Sequence, residues 1–395
     1  MKSSAAASSD IRVGCYYFPN YHADPRNGKV HGPGWTEWQL VRHATPRFPG
    51  HQQPKVPLWG YEDEADPGVM EKKIDAAADH GIDHFIFDWY HYEDGPFLER
   101  CLEEGFLKAG NTERLDFALM WANHDWINIH PMSRCFGKEL LYSAHVSPRM
   151  FRFISDLIID RYLSQPNYLT IDGCPYFSIY DLSKFLAIHG SVLATRKALD
   201  GFRERVRAAG FPDLHFNVVI WGKPVLPGEV IIERVPELVR ELGFDSVTSY
   251  VWIHHVELDQ TPYTPHANVL AQYLQTWSRM EEQFDVPYFP NITMGWDNSP
   301  RTLQTDIWEP LPESTFSNLI GGNTPEAFRG TLEIFRERLA RRPGPNLFSI
   351  NAWNEWTEGS YIEPDTVHGM GYLEAIADVF GPATRTRAPR ELAVT

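Results

Sequence analysis

The sequence predicts an α/β protein, a single (β/α)8 TIM barrel with long βα loops over its C-terminal face. Three observations lead there. Short apolar, aromatic or β-branched runs recur along the chain, and a segment with helical signals follows each of them. Neither a G-x-G-x-x-G turn nor a P-loop follows the first run, so the usual ligands of open doubly wound sheets lack their fingerprint. Nearly every run ends in polar and aromatic residues, which a barrel gathers on one face and an open sheet spreads along an edge.

The expected strands are 11–18, 83–90, 116–123, 175–181, 215–222, 246–252, 288–296 and 347–353. Helices are expected near 67–80, 96–109, 148–164, 192–209, 235–242, 266–284, 325–341 and 369–380. Several open on good caps: Asp66 before Pro67, Ser147 before Pro148 and Thr324 before Pro325, while Gly81 closes the first. Residues 19–66 and 297–324 read as long loops over the catalytic end, and long loops in compact domains are usually functional. No Pro/Gly/Ser linker splits the chain. One catalytic barrel is therefore expected over 11–382, preceded by a disordered segment 1–10 and followed by a flexible tail 383–395.

Composition narrows the function. The 395 residues are 43% hydrophobic, enough for a large core. Lys+Arg number 36 against 52 Asp+Glu, a net charge of -16, which gives no electrostatic reason to seek nucleic acid or anionic membranes. No apolar run approaches the roughly 18 residues of a membrane span. The first ten residues lack an apolar signal region, so a cytoplasmic location is expected. Cys15, Cys101, Cys135 and Cys174 are widely spaced and read as free thiols. His254 and His255 in "HHVE" are adjacent and point differently, a poor chelate, so neither metal nor cofactor is expected. The chain has 13 tryptophans, and Trp35, Trp89, Trp126, Trp296, Trp353 and Trp356 sit beside polar residues. Indole faces next to hydrogen-bonding groups suit a carbohydrate, the expected partner; oligomeric state is open.

The stretch "NAWNEWTEGSYIEP" (351–364) places Glu355 and Glu358 just past the last strand. Glycoside hydrolysis needs a proton donor and a second carboxylate, and close glutamates perturb each other's proton affinities. On spacing alone, a solvated pair at a helix start explains them as well. Residues at the other strand ends are candidate substrate contacts: Tyr17 and His22, Asp88 and Tyr90, Asn123, His124 and Trp126, Tyr250 and Trp252, Trp296 and Asp297, and Asn354. Asp125 reads as a structural cap. Asp297 and Arg301 either bind substrate or pair across a turn. Trp35, Thr36, Glu37 and Trp38 either wall the cleft or fold their loop onto the barrel.

The segment "NEWTEGSYIEP" resembles the signature of glycoside hydrolase family 99, the endo-α-mannosidases and endo-α-mannanases. Asn354, Glu355, Trp356, Glu358, Gly359, Ile362 and Glu363 carry the match. The stretches 34–57, 121–126 and 295–301 are similar to the related WbsX-type glycosyltransferase-like family. The resemblance spans 13–374. It implies the barrel fold and a retaining chemistry without a covalent enzyme intermediate: Glu355 as base toward the 2-hydroxyl, giving a 1,2-anhydro sugar, and Glu358 as general acid/base. It also implies an α-linked, manno-like glycan and endo action. Two alternatives stand beside it: a glycosyltransferase or transglycosylase of surface-polysaccharide synthesis, and a non-catalytic carbohydrate-binding barrel.

Overall fold

A computed structural model describes residues 11–133, 138–225, 228–309 and 318–381. The expected end segments 1–10 and 383–395, and Cys135, lie outside the described residues. Among the described residues no helix is long and apolar enough to cross a membrane.

Among the described residues, eight parallel strands form the barrel. They are β1 (Arg12–Tyr17), β2 (His84–Tyr92), β3 (Asp116–Trp121), β4 (Cys174–Ile179), β5 (His215–Val219), β6 (Ser246–Thr248), β7 in two pieces (Tyr288–Phe289 and Asn291–Thr293) and β8 (Leu347–Asn351). The first piece of β7 pairs with β6 and the second with β8, so the ring closes across Pro290. Proline has no N–H to give a ladder, but its carbonyl still accepts from Ser349 N at 3.0 Å. Neighbours run in register as Val13↔Phe348, Tyr16↔Ile86, Phe87↔Leu119 and Leu119↔Phe177.

The core has two parts. A large shell of side chains lies between strands and helices. A separate small cluster joins Ala118, Tyr176, Phe289 and Leu347 with Leu169 and Ile171. These strands are not all neighbours, so their side chains meet across the barrel interior. His215 stacks on both Tyr176 and Phe289 there, at 5.7 and 6.1 Å. Gly14 in β1 leaves room for the His84 imidazole, which a Cβ would meet at 2.4 Å.

The expected caps form. Asp66 accepts from Gly68 N at 2.8 Å, Ser147 from Met150 N at 3.1 Å and Thr324 from Ala327 N at 3.3 Å. They open α1 (Pro67–Asp79), α2 (Pro148–Ile158) and, later in the chain, the helix Pro325–Leu339. Two expectations need correction. The helix near 96–109 is instead a short strand Gly95–Phe97, a π-turn Cys101–Gly105 and a 3-10 turn Phe106–Lys108. Leu98 takes a positive φ of 59° with its N–H on Asp24, which breaks any continuous helix. The strand expected over 246–252 stops at Thr248, because Trp252 opens a 3-10 turn whose N–H goes to Thr293 Oγ1.

The two long loops are laced together over the C-terminal face. Arg47 donates to Thr302 Oγ1, Thr45 N to Gln304, and His51 and Gln53 both meet Asp297.

Candidate active site

After β8 the chain makes a tight hairpin. Asn354–Glu355 pairs antiparallel with Ser360–Tyr361 around the 3-10 turn Trp356–Glu358. Each residue has a physical task. Asn354 accepts from Phe18 N and donates to Phe18 O, both at 2.8 Å, which ties the end of β8 to the end of β1. Trp356 stacks on Tyr361 at 3.8 Å and donates from Nε1 to Glu363 at 2.8 Å. Thr357 hydrogen-bonds Glu37 of the first long loop. Gly359 has φ +61°, and a Cβ there would press within 2.7 Å of Asp297 Cβ. The turn is thereby held so that Glu355 and Glu358 face the same cavity.

That cavity is a concave pocket with one polar and one apolar side, the usual character of a ligand site. Its polar side carries Asp88, Tyr250, Arg301, Glu355 and Glu358. Opposite in character are Phe18, Met120, Ala122, Ile127 and Ile129, with Tyr90, His124, Trp126, His130 and Tyr180 completing the wall. Trp126 lies parallel to His130 at 5.4 Å and edge-on to Tyr90 at 5.3 Å.

Arg301 organises the polar side. Its Nη2 donates to Glu355 at 3.1 Å, its Nη1 to Glu358, and its Nε to Glu37 at 3.0 Å. A planar guanidinium with five N–H donors can serve three carboxylates at once, which an ammonium cannot do with fixed geometry. Tyr250 Oη lies 2.8 Å from Asp88 and 3.0 Å from Glu355.

Burial and the charge of Glu358 push the Glu355 carboxyl well above its usual range, against the pull of Arg301. Burial raises Glu358 as well, with Arg301 again holding it down. Burial raises Asp88 well above the ordinary aspartate value, opposed by the Tyr250 hydroxyl. Glu37 goes the other way: burial alone would raise it, but Arg301, His130 and Thr357 hold it below its ordinary value. For Arg301, burial opposes the charge, and the three glutamates more than restore it. One cation faces four buried carboxyls, so the cluster must retain protons near neutrality. Burial drives His130 down to about 4 and lowers His124, so both imidazoles are neutral.

The structure brings Asp88, Tyr90, His124, Trp126, Tyr250, Glu355 and Glu358 together on this wall. The other expected contacts lie outside it, most of them with polar atoms committed to the fold. Tyr17 points away from the barrel axis and donates to Met70 Sδ. His22 is buried beside Asp24, Asp63 and Arg100, and burial lowers its pKa to about 4. Asn123 exchanges hydrogen bonds of 2.8 Å with the backbone of Asp181. Trp252 donates to Asn291 O at 2.7 Å and stacks on Tyr273. Trp296 is buried against the Ile320 backbone, and Asp297 anchors His51, Gln53 and Ser299 N. Asn354 is the latch described above.

Arg301 and Glu37 are the residues that sequence reasoning left undecided. Arg301 does not pair with Asp297 across the turn; it turns inward to the glutamates. Trp35 and Trp38 fold the first loop down, Trp38 donating to Glu62 O, while Glu37 between them reaches the cluster. His254 and His255 go separate ways: His255 meets Ser249 Oγ at 2.7 Å, and Glu257 is an exposed partner of Lys223. Asp125, expected as a cap, accepts from Ala144 N and pairs with Lys184, and it also touches the cavity.

Comparison with known proteins agrees with this architecture. The protein WxcX of Xanthomonas campestris pv. campestris (strain B100), itself uncharacterized, is 27% identical over 95% of this chain. This chain spans 49%, about half, of that protein's length. The solved structure of the GH99 endo-alpha-mannosidase from Bacteroides thetaiotaomicron superposes with a TM-score of 0.51 at 15% identity, covering 94% of this chain and 96% of that one. A structure described as a glycoside hydrolase-like protein superposes with a TM-score of 0.59 at 15% identity, covering 95% of each chain. These likenesses establish a TIM-barrel fold shared with glycoside hydrolases. Residues 13–376 match the family model described as Glycosyltransferase WbsX, and the chain belongs to that family.

Proposed function

We propose that this protein is a retaining glycoside hydrolase that cleaves an α-linked, manno-configured glycan. The observation that carries the reading is Arg301 bridging Glu355 and Glu358 on the wall of the cavity. Two buried carboxyls beside one cation perturb each other's proton affinity, which suits an acid and base working on one bond.

The reaction runs in two steps. Glu355 takes the proton of the sugar 2-hydroxyl, and O2 forms a bond to C1 as the bond from C1 to the leaving oxygen breaks. Glu358 gives its proton to that oxygen. A 1,2-anhydro sugar results. Water, deprotonated by Glu358, then attacks C1; the C1–O2 bond breaks, and O2 recovers its proton from Glu355. Both carboxyls return to their starting states, and two inversions give net retention. Arg301 steadies the negative charge that moves between the two glutamates. The apolar wall with Trp126 and Tyr180 suits the C–H faces of sugar rings.

The family's description suggests transfer from a nucleotide sugar. A diphosphate would have to enter a cleft where Arg301 is already matched to three glutamates and both wall histidines are neutral. The test is incubation with α-mannans and α-manno-oligosaccharides without any nucleotide sugar. New reducing ends from the wild type, and none from Glu355→Gln/Glu358→Gln, support the hydrolase. No release from any glycan, with a nucleotide sugar consumed in parallel, overturns it in favour of the transferase.

A further inference from the structure

The base role demands an ionised Glu355, although burial favours its protonated form. The hydrogen-bond geometry around Tyr250 bears on how that is achieved. Tyr250 Oη is 2.8 Å from Asp88 Oδ2 and 3.0 Å from Glu355 Oε1. A phenol has one proton. Burial, with Asp88 and Glu355 beside it, raises the Tyr250 hydroxyl well above its ordinary value, so that proton stays on it. It can be donated to one carboxyl only. The second contact, at hydrogen-bond distance, then needs a proton that comes from a carboxyl.

The surroundings decide which carboxyl carries it. Glu355 has the Arg301 guanidinium on its other oxygen at 3.1 Å. Asp88 has no cation in contact, and no described residue donates to its Oδ1, which is buried. The titratable groups facing Asp88 are Tyr16 from β1, Tyr90 from β2, Tyr250 after β6, Arg301 after β7, and Glu355 and Glu358 after β8. Only Arg301 among them is cationic, and each of its three nitrogens donates to a glutamate rather than to Asp88. An ionised Asp88 would be a buried charge with a single hydrogen bond, whereas an ionised Glu355 has both Arg301 and Tyr250.

We infer that Asp88 is held as a neutral carboxylic acid that donates to Tyr250, and that Tyr250 in turn donates to Glu355 and keeps it ionised. The inference rests on Glu355 being the base of the proposed reaction. Asp88 is then a positioning residue acting through Tyr250. No proton of Asp88 is consumed in a turnover. Its Oδ1 is left as a carbonyl acceptor on the cavity wall, able to take a hydrogen bond from a substrate hydroxyl.

Infrared difference spectra of the unliganded full chain near neutral pH test the proton directly. The wild type minus Asp88→Asn spectrum should show a carboxylic C=O band; carboxylate bands in its place would overturn the inference. Tyr250→Phe gives the second check: the C=O band should shift, because the acid loses its acceptor, and an unmoved band contradicts the chain. In turnover, Asp88→Asn, whose amide still donates to Tyr250, should keep at least about a tenth of kcat, while Asp88→Ala should lose about 30-fold more with KM changed less than about threefold. Equal losses in the two variants would overturn the role. Failure of the wild type to cleave any glycan would sink the hydrolase reading while the spectra still decide the proton.

Discussion

Two buried ion clusters lie on either side of the β8 hairpin, and their contrast explains why one is a candidate site. Behind the hairpin, Lys73 pairs with Glu64 at 2.6 Å and with Glu363 at 2.7 Å. In front, Arg301 pairs with Glu37, Glu355 and Glu358. Both have more carboxylates than cations, and both are almost wholly shielded from solvent. The difference lies in what the spare oxygens meet. Glu64 also accepts from Asn354 and Glu363 from Trp356, so the rear cluster closes on the fold. Glu355 and Glu358 open onto the cavity. Buried charge therefore marks structure and chemistry alike; access to a ligand separates them.

The comparison can be broken most forcefully at Arg301. Arg301→Met leaves three buried carboxylates uncompensated. It should lower turnover by about a thousandfold or more and cost about 3–5 kcal/mol of stability. Arg301→Lys, which keeps charge but loses the fork, should depress kcat far more than the melting temperature. Kinetics on the cleaved glycan beside thermal melts would show whether the two readouts separate.

Lys73→Met should do the reverse. Two buried glutamates lose their cation, at a cost of about 3–5 kcal/mol, while turnover of the remaining folded protein falls by less than about tenfold. A melt and an active-site-normalised rate would check this. Loss of turnover as deep as in Arg301→Met would erase the distinction between the clusters.

Acid should weaken the fold through two buried histidines. Burial holds His22 and His130 at about 4, whereas an unfolded histidine titrates near 6.5. Between those values the unfolded chain binds protons that the folded chain does not, so stability falls as pH drops through that window. The loss should be on the order of 2 kcal/mol per histidine from about pH 7 to about pH 5, read as a lower urea midpoint. His22→Gln should flatten the slope.

The smallest effect is expected at Trp356→Phe, which keeps the stacking on Tyr361 but strands a Glu363 oxygen. A cost of about 1–2 kcal/mol is expected, with a measurable drop in kcat because the indole links the rear cluster to the turn that carries Glu355 and Glu358.

Much of this was legible in the residues. Alternating runs and Asp66, Ser147 and Thr324 caps located strands and helices, and the polar strand ends pointed to the C-terminal face. Glu355 and Glu358 could be placed because they follow the last strand. Tyr17 was misplaced by one step of the strand period: Tyr16 lies 4.7 Å from Tyr250, while Tyr17 faces the outer helices. Asn123 and Asn354 look like sugar ligands, but each bonds the backbone of a neighbouring strand end, and composition does not distinguish those fates. Arg301 was hardest to read. Its partners lie 264, 57 and 54 residues away, and only the folded loops bring them to one guanidinium.

The most direct test of the central claim compares a cleaved α-glycoside with its 2-deoxy analogue at saturating concentration. Removing the electron-withdrawing 2-hydroxyl makes departure of the leaving group intrinsically easier. If O2 is the nucleophile that Glu355 activates, kcat for the analogue should still fall at least about a thousandfold. Cleavage of the 2-deoxy substrate within about tenfold of the parent would contradict the account.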